Sequence, residues 1–182
     1  MSAAMGVSFT ALLAIIAAAP AAAQPAAGAC TPIFAAGEKR IAMPHHVYTE
    51  QTQAGTTRAG EIISLPDGQY LLVQGQWIRS PLSLTLDEAL EEHRARFREA
   101  RVYSCRKLRN ESINGVPAEV YQMHSETDEG ISDGQMWVAL KTGLPIKQEV
   151  DLQVLIGTPG KRHTSARYDY TNVQKPAGAI DP

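Results

Sequence analysis

Apolar and polar residues alternate along much of the chain, most regularly between Ile146 and Ile156. Ile146, Val150, Leu152, Val154 and Ile156 share one side, and Lys147, Glu149, Asp151 and Gln153 share the other. A period of two over this length predicts a strand with one buried face and one face in water. Eight segments of strand character are predicted, at 46–53, 58–65, 69–79, 103–113, 116–127, 134–141, 146–156 and 162–170.

Short turn signals separate these segments. Pro66-Asp67-Gly68 presets a turn, Asn114-Gly115 is a strong hairpin signal, and Thr142-Gly143 marks a further turn. Strands joined by tight turns are antiparallel neighbours. Strands and helices do not alternate along the chain, so the pattern does not predict a parallel sheet.

One strong helix interrupts the strands. Thr85 and Glu88 form a capping box at its start, and Leu86, Leu90, His93 and Phe97 recur at helical spacing on the side expected to face the sheet. A shorter helix is predicted to begin at Thr31-Pro32 and to end before Pro44. The pattern predicts an α+β fold: a curved antiparallel sheet of about eight strands, forming an incomplete barrel, with one major helix packed on its concave side.

Residues 1–23 have the character of a cleaved signal peptide. A short apolar run, 11–19, precedes Pro20 and the small residues Ala21 to Ala23, so cleavage is expected after Ala23. Export to the periplasm follows from this interpretation. The mature chain, 24–182, is expected to be a single domain with loose ends at 24–29 and 174–182. The run 11–19 is too short to span a membrane, and no second apolar span follows it.

The two cysteines, Cys30 and Cys105, are predicted to form a disulfide, because thiols pair readily in an oxidising compartment. The alternative is lipid attachment at Cys30, which follows the small residues Ala27, Gly28 and Ala29. That alternative would leave Cys105 unpaired, and Ala27 stands where lipoprotein signals usually carry leucine.

Composition and motifs argue against several classes of function. A formal net charge of −2 over 182 residues does not favour a nucleic-acid-binding protein. The five histidines show no metal-binding spacing, and no serine stands in a nucleophile elbow. We therefore expect a non-catalytic protein without a metal or cofactor; a hydrolase has no supporting motif.

Two segments resemble a known family. Residues 137–147, WVALKTGLPIK, and 168–173, YDYTNV, are similar to a hairpin and a following strand of the LolA/LolB-like superfamily, periplasmic proteins that resemble outer-membrane lipoprotein-sorting proteins. Gly68-Gln69-Tyr70 and Gly75-Gln76-Trp77 look like the early hairpin of that family. The resemblance implies an incomplete barrel with an apolar groove and helices as a lid, and members of the family bind acyl chains.

Aromatic and aliphatic residues on the predicted strands and helix are the candidate lining of such a groove. They are Tyr70, Leu72, Trp77, Leu90, Phe97, Tyr121, Trp137, Val138, Leu152 and Ile156. The predicted function is binding of an apolar or amphiphilic ligand, with a lipid or a lipidated protein as partner and the protein itself a monomer. The alternative is an envelope scaffold or interaction module whose groove is filled by its own side chains.

Overall fold

A single antiparallel sheet and two helices make up the computed structural model, which describes residues 27–157 and 159–180. The signal peptide predicted over 1–23 lies outside the described residues. In chain order the elements are α1 (Ala27–Ile41), β1 (His45–Gln53), β2 (Thr56–Leu65), β3 (Gly68–Val73), β4 (Gln76–Arg79), α2 (Leu86–Glu99), β5 (Val102–Ile113), β6 (Val116–Glu126), β7 (Gly130–Ala139), β8 (Pro145–Val154) and β9 (Gly160–Asp169).

The strands follow the order β4-β3-β2-β1-β9-β8-β7-β6-β5, and every neighbouring pair is antiparallel. The pairing of β1 with β9 joins two meanders, and β4 and β5 remain as the edges, so the sheet is not closed. The predicted α+β fold with an open antiparallel sheet is therefore confirmed. Helix α2 connects the two edge strands.

The sheet has nine strands because the segment predicted as one strand over 69–79 is a hairpin, β3–β4. Its turn residues, Gln74 and Gly75, have φ values of 52° and 80°. Tight hairpin turns of this kind need positive φ at both positions, and glutamine adopts such a φ rarely. The hairpin signal at Asn114-Gly115, with φ values of 50° and 80°, is confirmed.

The start of α2 has the predicted capping box. The Thr85 hydroxyl accepts from the Glu88 backbone N–H at 3.3 Å, and the Thr85 N–H donates to the Glu88 carboxylate at 2.8 Å. Both bonds satisfy backbone N–H donors. The second also holds the Glu88 carboxylate at the positive end of the helix.

Helix α1 begins at Ala27, earlier than the start predicted at Thr31, and includes Pro32. Residues 27–29, expected to belong to a loose end, are therefore helical. The disulfide between Cys30 and Cys105 fixes this first turn to β5. The cross-link thus lies within the part of the helix that precedes the threonine–proline start signal.

The main core lies where α1 covers one face of the sheet, which we call the helix face. Ile33 and Ala36 of α1 are buried there against four strand residues, Tyr121, Met123, Met136 and Val138. On the opposite face a smaller cluster is centred on Trp137, with Ala118 and Val120. Helix α2, expected from its pattern to be the helix packed on the sheet, has no buried residue and packs mainly on α1; the helix that covers the sheet is α1.

The C-terminal residues expected to form a loose end contact the edge strand β4. Ile180 forms a parallel bridge with Ile78: the Arg79 N–H donates to the Ile180 carbonyl at 2.8 Å, and the Ile180 N–H donates to the Trp77 carbonyl at 3.0 Å. These bonds pair part of an edge that would otherwise be exposed. Among the described residues, no helix is long and apolar enough to cross a membrane.

Candidate functional site

A groove lies between the two helices and the helix face of strands β5 to β8. Its volume is about 1050 Å³, at the upper end of the range of small-molecule sites. Helix α1 contributes one wall, helix α2 contributes the other, and the strands form the floor. We call this cavity the groove.

The middle of the groove is apolar. Met123, Met136 and Val150 line the floor, with Ile33 from α1 and Phe97 from α2 above them. Methionine side chains are flexible and polarisable, so they adapt to ligands of irregular shape. Thr127, Asp128 and Glu129 lie at one end of the groove, and Arg40 lies at the other.

Rings from three elements hold α2 in place. Phe97 lies 4.6 Å from the ring centre of Tyr103 on β5 and 4.9 Å from that of His93, and Phe34 of α1 contacts all three. An ion pair from Arg94 Nε to Glu38 Oε1, 2.9 Å long, adds a second link between the helices. Because both charged groups are largely exposed, that link contributes little, and the rings carry the contact.

His93 faces the groove as a neutral side chain. Burial lowers the pKa of His93, an effect that a hydrogen bond with the Phe34 backbone opposes and the Arg40 charge reinforces. Its Nε2 is buried and has no hydrogen-bond partner among the described residues. This buried atom lies against Gly37 of α1, where a Cβ would be 2.5 Å from it.

A second, smaller cavity of about 340 Å³ adjoins the groove on the side of the β2–β3 turn. Arg40, Glu92, His93 and Arg96 line both cavities. Arg96 is ion-paired with Glu92 one helical turn before it. The charged groups of the site are thus concentrated where the two cavities meet.

Arg40 contacts His45 and Tyr168 in this junction. Its Nη1 lies 3.3 Å from Nε2 of His45, and its guanidinium carbon lies 5.6 Å from the ring centre of Tyr168. Burial lowers the pKa of His45, and Arg40 reinforces this effect, so His45 is neutral. Burial raises the pKa values of Tyr168 and Tyr170, so both phenols keep their protons.

The structure places the predicted lining residues in several environments. Phe97 lines the groove, and Leu90 is half-buried on the same helix. Tyr121 and Val138 belong to the core under α1, and the half-buried Leu152 shares their face of the sheet. The opposite face carries Tyr70, Leu72, Trp77 and Trp137. Ile156, in the turn after β8, is 62% exposed.

Several groove residues were not among the candidates, including Met123, Met136, Val150 and Arg40. Met123 and Met136 follow the period of two from Tyr121 and Val138, so counting along each strand from those candidates would have found them. Arg40 has no comparable signal, because its place depends on where α1 ends over β9.

The predicted disulfide between Cys30 and Cys105 is present, with a Cα–Cα distance of 5.1 Å. It joins the first turn of α1 to β5 beside the groove. In the structure Cys30 is therefore bonded to Cys105, in agreement with the disulfide interpretation.

Comparison with known proteins gives structural similarities alone. No family model matches the chain, and no curated protein sequence matches it. A crystal structure of MucB aligns at 16% identity with a TM-score of 0.47, covering 85% of this chain and 65% of that one. MucB in complex with MucA(peri) aligns at 17% identity with a TM-score of 0.45, covering 82% and 60%. A DUF1329 family protein from Desulfovibrio piger aligns at 9% identity with a TM-score of 0.30, covering 84% and 95%. The chain thus spans 60–65% of the length of these two MucB chains.

Proposed function

We propose that this chain is a non-catalytic periplasmic protein that binds the apolar part of an amphiphile, such as a lipid or the acyl chain of a lipoprotein, in the groove. The observation that carries the proposal is the groove itself: a cavity of about 1050 Å³ with an apolar middle. The sequence resemblance to the LolA/LolB-like superfamily supports the same function.

The energetics favour an apolar guest. Each Å² of apolar surface removed from water stabilises a complex by roughly 25 cal/mol before the costs of association are subtracted. Val150, Phe97 and Tyr103 line the groove and are half-buried, so they offer the apolar surface that a guest would cover, whereas Met123 and Met136 are already buried in the core.

Helix α2 is the proposed lid. It has no buried residue, and its main contacts are with α1 and Tyr103. A helix held by one cluster of rings can move without disturbing the sheet, because few buried contacts are lost. Its movement would open the groove along the side where Phe97 lies.

A displacement assay with a fluorescent fatty acid tests the proposal. Val150→Trp places a large side chain in the groove, and Gln153→Trp places the same side chain at an exposed position of the same strand, on the opposite face. We expect saturable binding to the wild type and to Gln153→Trp, with binding weakened at least tenfold in Val150→Trp.

The result that would refute the proposal is equal binding by the two tryptophan variants, or no saturable binding to the wild-type protein. Thermal unfolding of each variant, followed by circular dichroism, shows whether a loss of binding reflects a loss of fold. A Val150→Trp protein that unfolds at the wild-type temperature yet does not bind supports the groove as the site.

An interaction module is the second candidate, and one surface feature favours it. Leu82, Leu84 and Leu86, in the segment that leads into α2, are 82%, 49% and 51% exposed. Exposed leucines this close together are typical of contact surfaces between proteins. Absence of saturable fatty-acid binding in the assay above would favour this second function.

A further inference from the structure

The guanidinium of Arg40 has no anionic partner within the part of the chain that the structure describes. It contacts the His45 ring nitrogen and the face of the Tyr168 ring. Arg96, the other arginine that lines both cavities, differs in this respect, since it is paired with Glu92. Arg40 is only partly exposed, so water screens its charge incompletely.

The surroundings of Arg40 orient its charge but do not neutralise it. Nδ1 of His45 lies 2.7 Å from the Met43 carbonyl oxygen and donates to it, which leaves Nε2 as the acceptor for Arg40. The Tyr168 hydroxyl donates to Gln148 Oε1, and the Tyr170 hydroxyl donates to the Pro145 carbonyl. One guanidinium N–H is thus satisfied, and the remaining donors are available on a side chain that is already held in place.

Arg40 also lies between the charged junction of the two cavities and the apolar part of the groove. It lines both cavities, and Ile33, in the apolar part of the groove, lies about two helical turns before it on α1. From Met136 to Ser132, the floor of the groove follows β7 for about 13 Å at the rise of an extended strand. An apolar chain lying along this floor would bring its head group to Arg40.

From this geometry we infer that the ligand is an amphiphile with an anionic head group, and that Arg40 binds its carboxylate or phosphate. The inference rests on the proposed function and adds the charge of the ligand to it. A guanidinium forms two parallel hydrogen bonds with such an anion, and this geometry is stronger than that of a neutral pair.

The test compares dodecanoate with dodecanol, two probes with the same chain and different head groups, by titration calorimetry below their aggregation concentrations. The wild-type protein should bind dodecanoate about ten- to a hundredfold more tightly than dodecanol, the difference expected for hydrogen bonds to a charged group. Arg40→Gln should remove this preference by weakening dodecanoate binding about ten- to a hundredfold and dodecanol binding much less, whereas Arg40→Lys should keep part of the preference.

Arg106→Gln is the matched control, since Arg106 is exposed on β5 and contacts Gln122 outside the groove. This variant should keep the wild-type preference. Equal wild-type affinity for the two probes overturns the inference and leaves the proposed function standing, whereas no binding of either probe refutes both. Arg40→Gln weakening both probes equally would show that Arg40 maintains the fold, which also overturns the inference. Inorganic phosphate competing as strongly as dodecanoate would make the site one for free anions and would overturn it too.

Discussion

A Cβ placed on Gly37 would lie 2.4 Å from Cε1 of His93, so α1 and α2 pack closely at this glycine. A methyl group there would overlap the His93 ring, which is itself packed against Phe34 and Phe97. Gly37→Ala should therefore displace α2 and lower the free energy of unfolding by about 1–3 kcal/mol, the usual cost of overpacking. Urea denaturation measures the change.

Two further variants make this test specific. Gly28→Ala lies in the same helix, and its Cβ meets nothing within 4 Å, so it should be neutral or slightly stabilising. The double variant Gly37→Ala/His93→Ala removes the ring that the methyl group meets and should recover part of the lost stability. A Gly37→Ala protein as stable as the wild type would contradict the close contact.

The disulfide between Cys30 and Cys105 should be fully formed and stabilising. It closes a loop with a sequence separation of 75 and ties α1 to the edge strand β5. Labelling of denatured, unreduced protein should find no free thiol. The double variant Cys30→Ser/Cys105→Ser should lose up to about 4 kcal/mol of stability, because the open chain has more conformational freedom when unfolded. A diacylglycerol on Cys30, detected by mass spectrometry, would contradict this prediction.

His124 should make the stability depend on pH. Its Nδ1 lies 2.8 Å from Asp133 Oδ1 and its Nε2 lies 3.3 Å from Glu126 Oε1; the bond with Asp133 is the largest of the effects that raise the pKa of His124 above 6.5. Because the pKa of His124 is raised in the folded state, the contribution of His124 to the free energy of unfolding is complete below pH 6.5. It is lost as the pH rises through the folded pKa.

The check is the difference in unfolding free energy between the wild type and His124→Gln, measured in urea at a series of pH values. The difference should be largest below pH 6.5 and should shrink at higher pH. In an Asp133→Asn background the same comparison should vary less with pH, because the main partner of His124 has lost its charge. A difference that grows with rising pH would contradict the assignment.

Export can be tested on the protein as it is made. If 1–23 is a signal peptide, the protein recovered from the periplasmic fraction should begin at Gln24, as determined by N-terminal sequencing. Recovery of the uncleaved chain from the cytoplasmic fraction would contradict the periplasmic location. The fold and the groove do not depend on this result.

Local chemistry made much of the fold predictable. The capping box of Thr85 and Glu88 and the hairpin at Asn114-Gly115 are short-range signals, and both are confirmed. The strand pattern over 69–79 does not predict the turn at Gln74-Gly75, because glutamine seldom takes a positive φ; only the resemblance of Gly75-Gln76-Trp77 to an early hairpin pointed to it. The start of α1 at Ala27, before the signal at Thr31, has no local sequence signal.

The site was less predictable than the fold, because the candidates were chosen by residue type without knowledge of which face α1 covers. Tyr121 and Trp137, both aromatic strand residues, lie on opposite faces of the sheet. The strand register separates them, since Tyr121 pairs with Met136 and Val120 pairs with Trp137. Arg40 depends on the packing of α1 over Tyr168, which no local pattern encodes.

Native mass spectrometry of protein freshly purified from the periplasm tests most directly whether the groove holds an amphiphile. We expect the wild type and Gln153→Trp to retain an added mass that is released by organic solvent and identified as an anionic lipid, and Val150→Trp to lack it. The bare chain mass in the wild type, or the same added mass in Val150→Trp, would contradict the account.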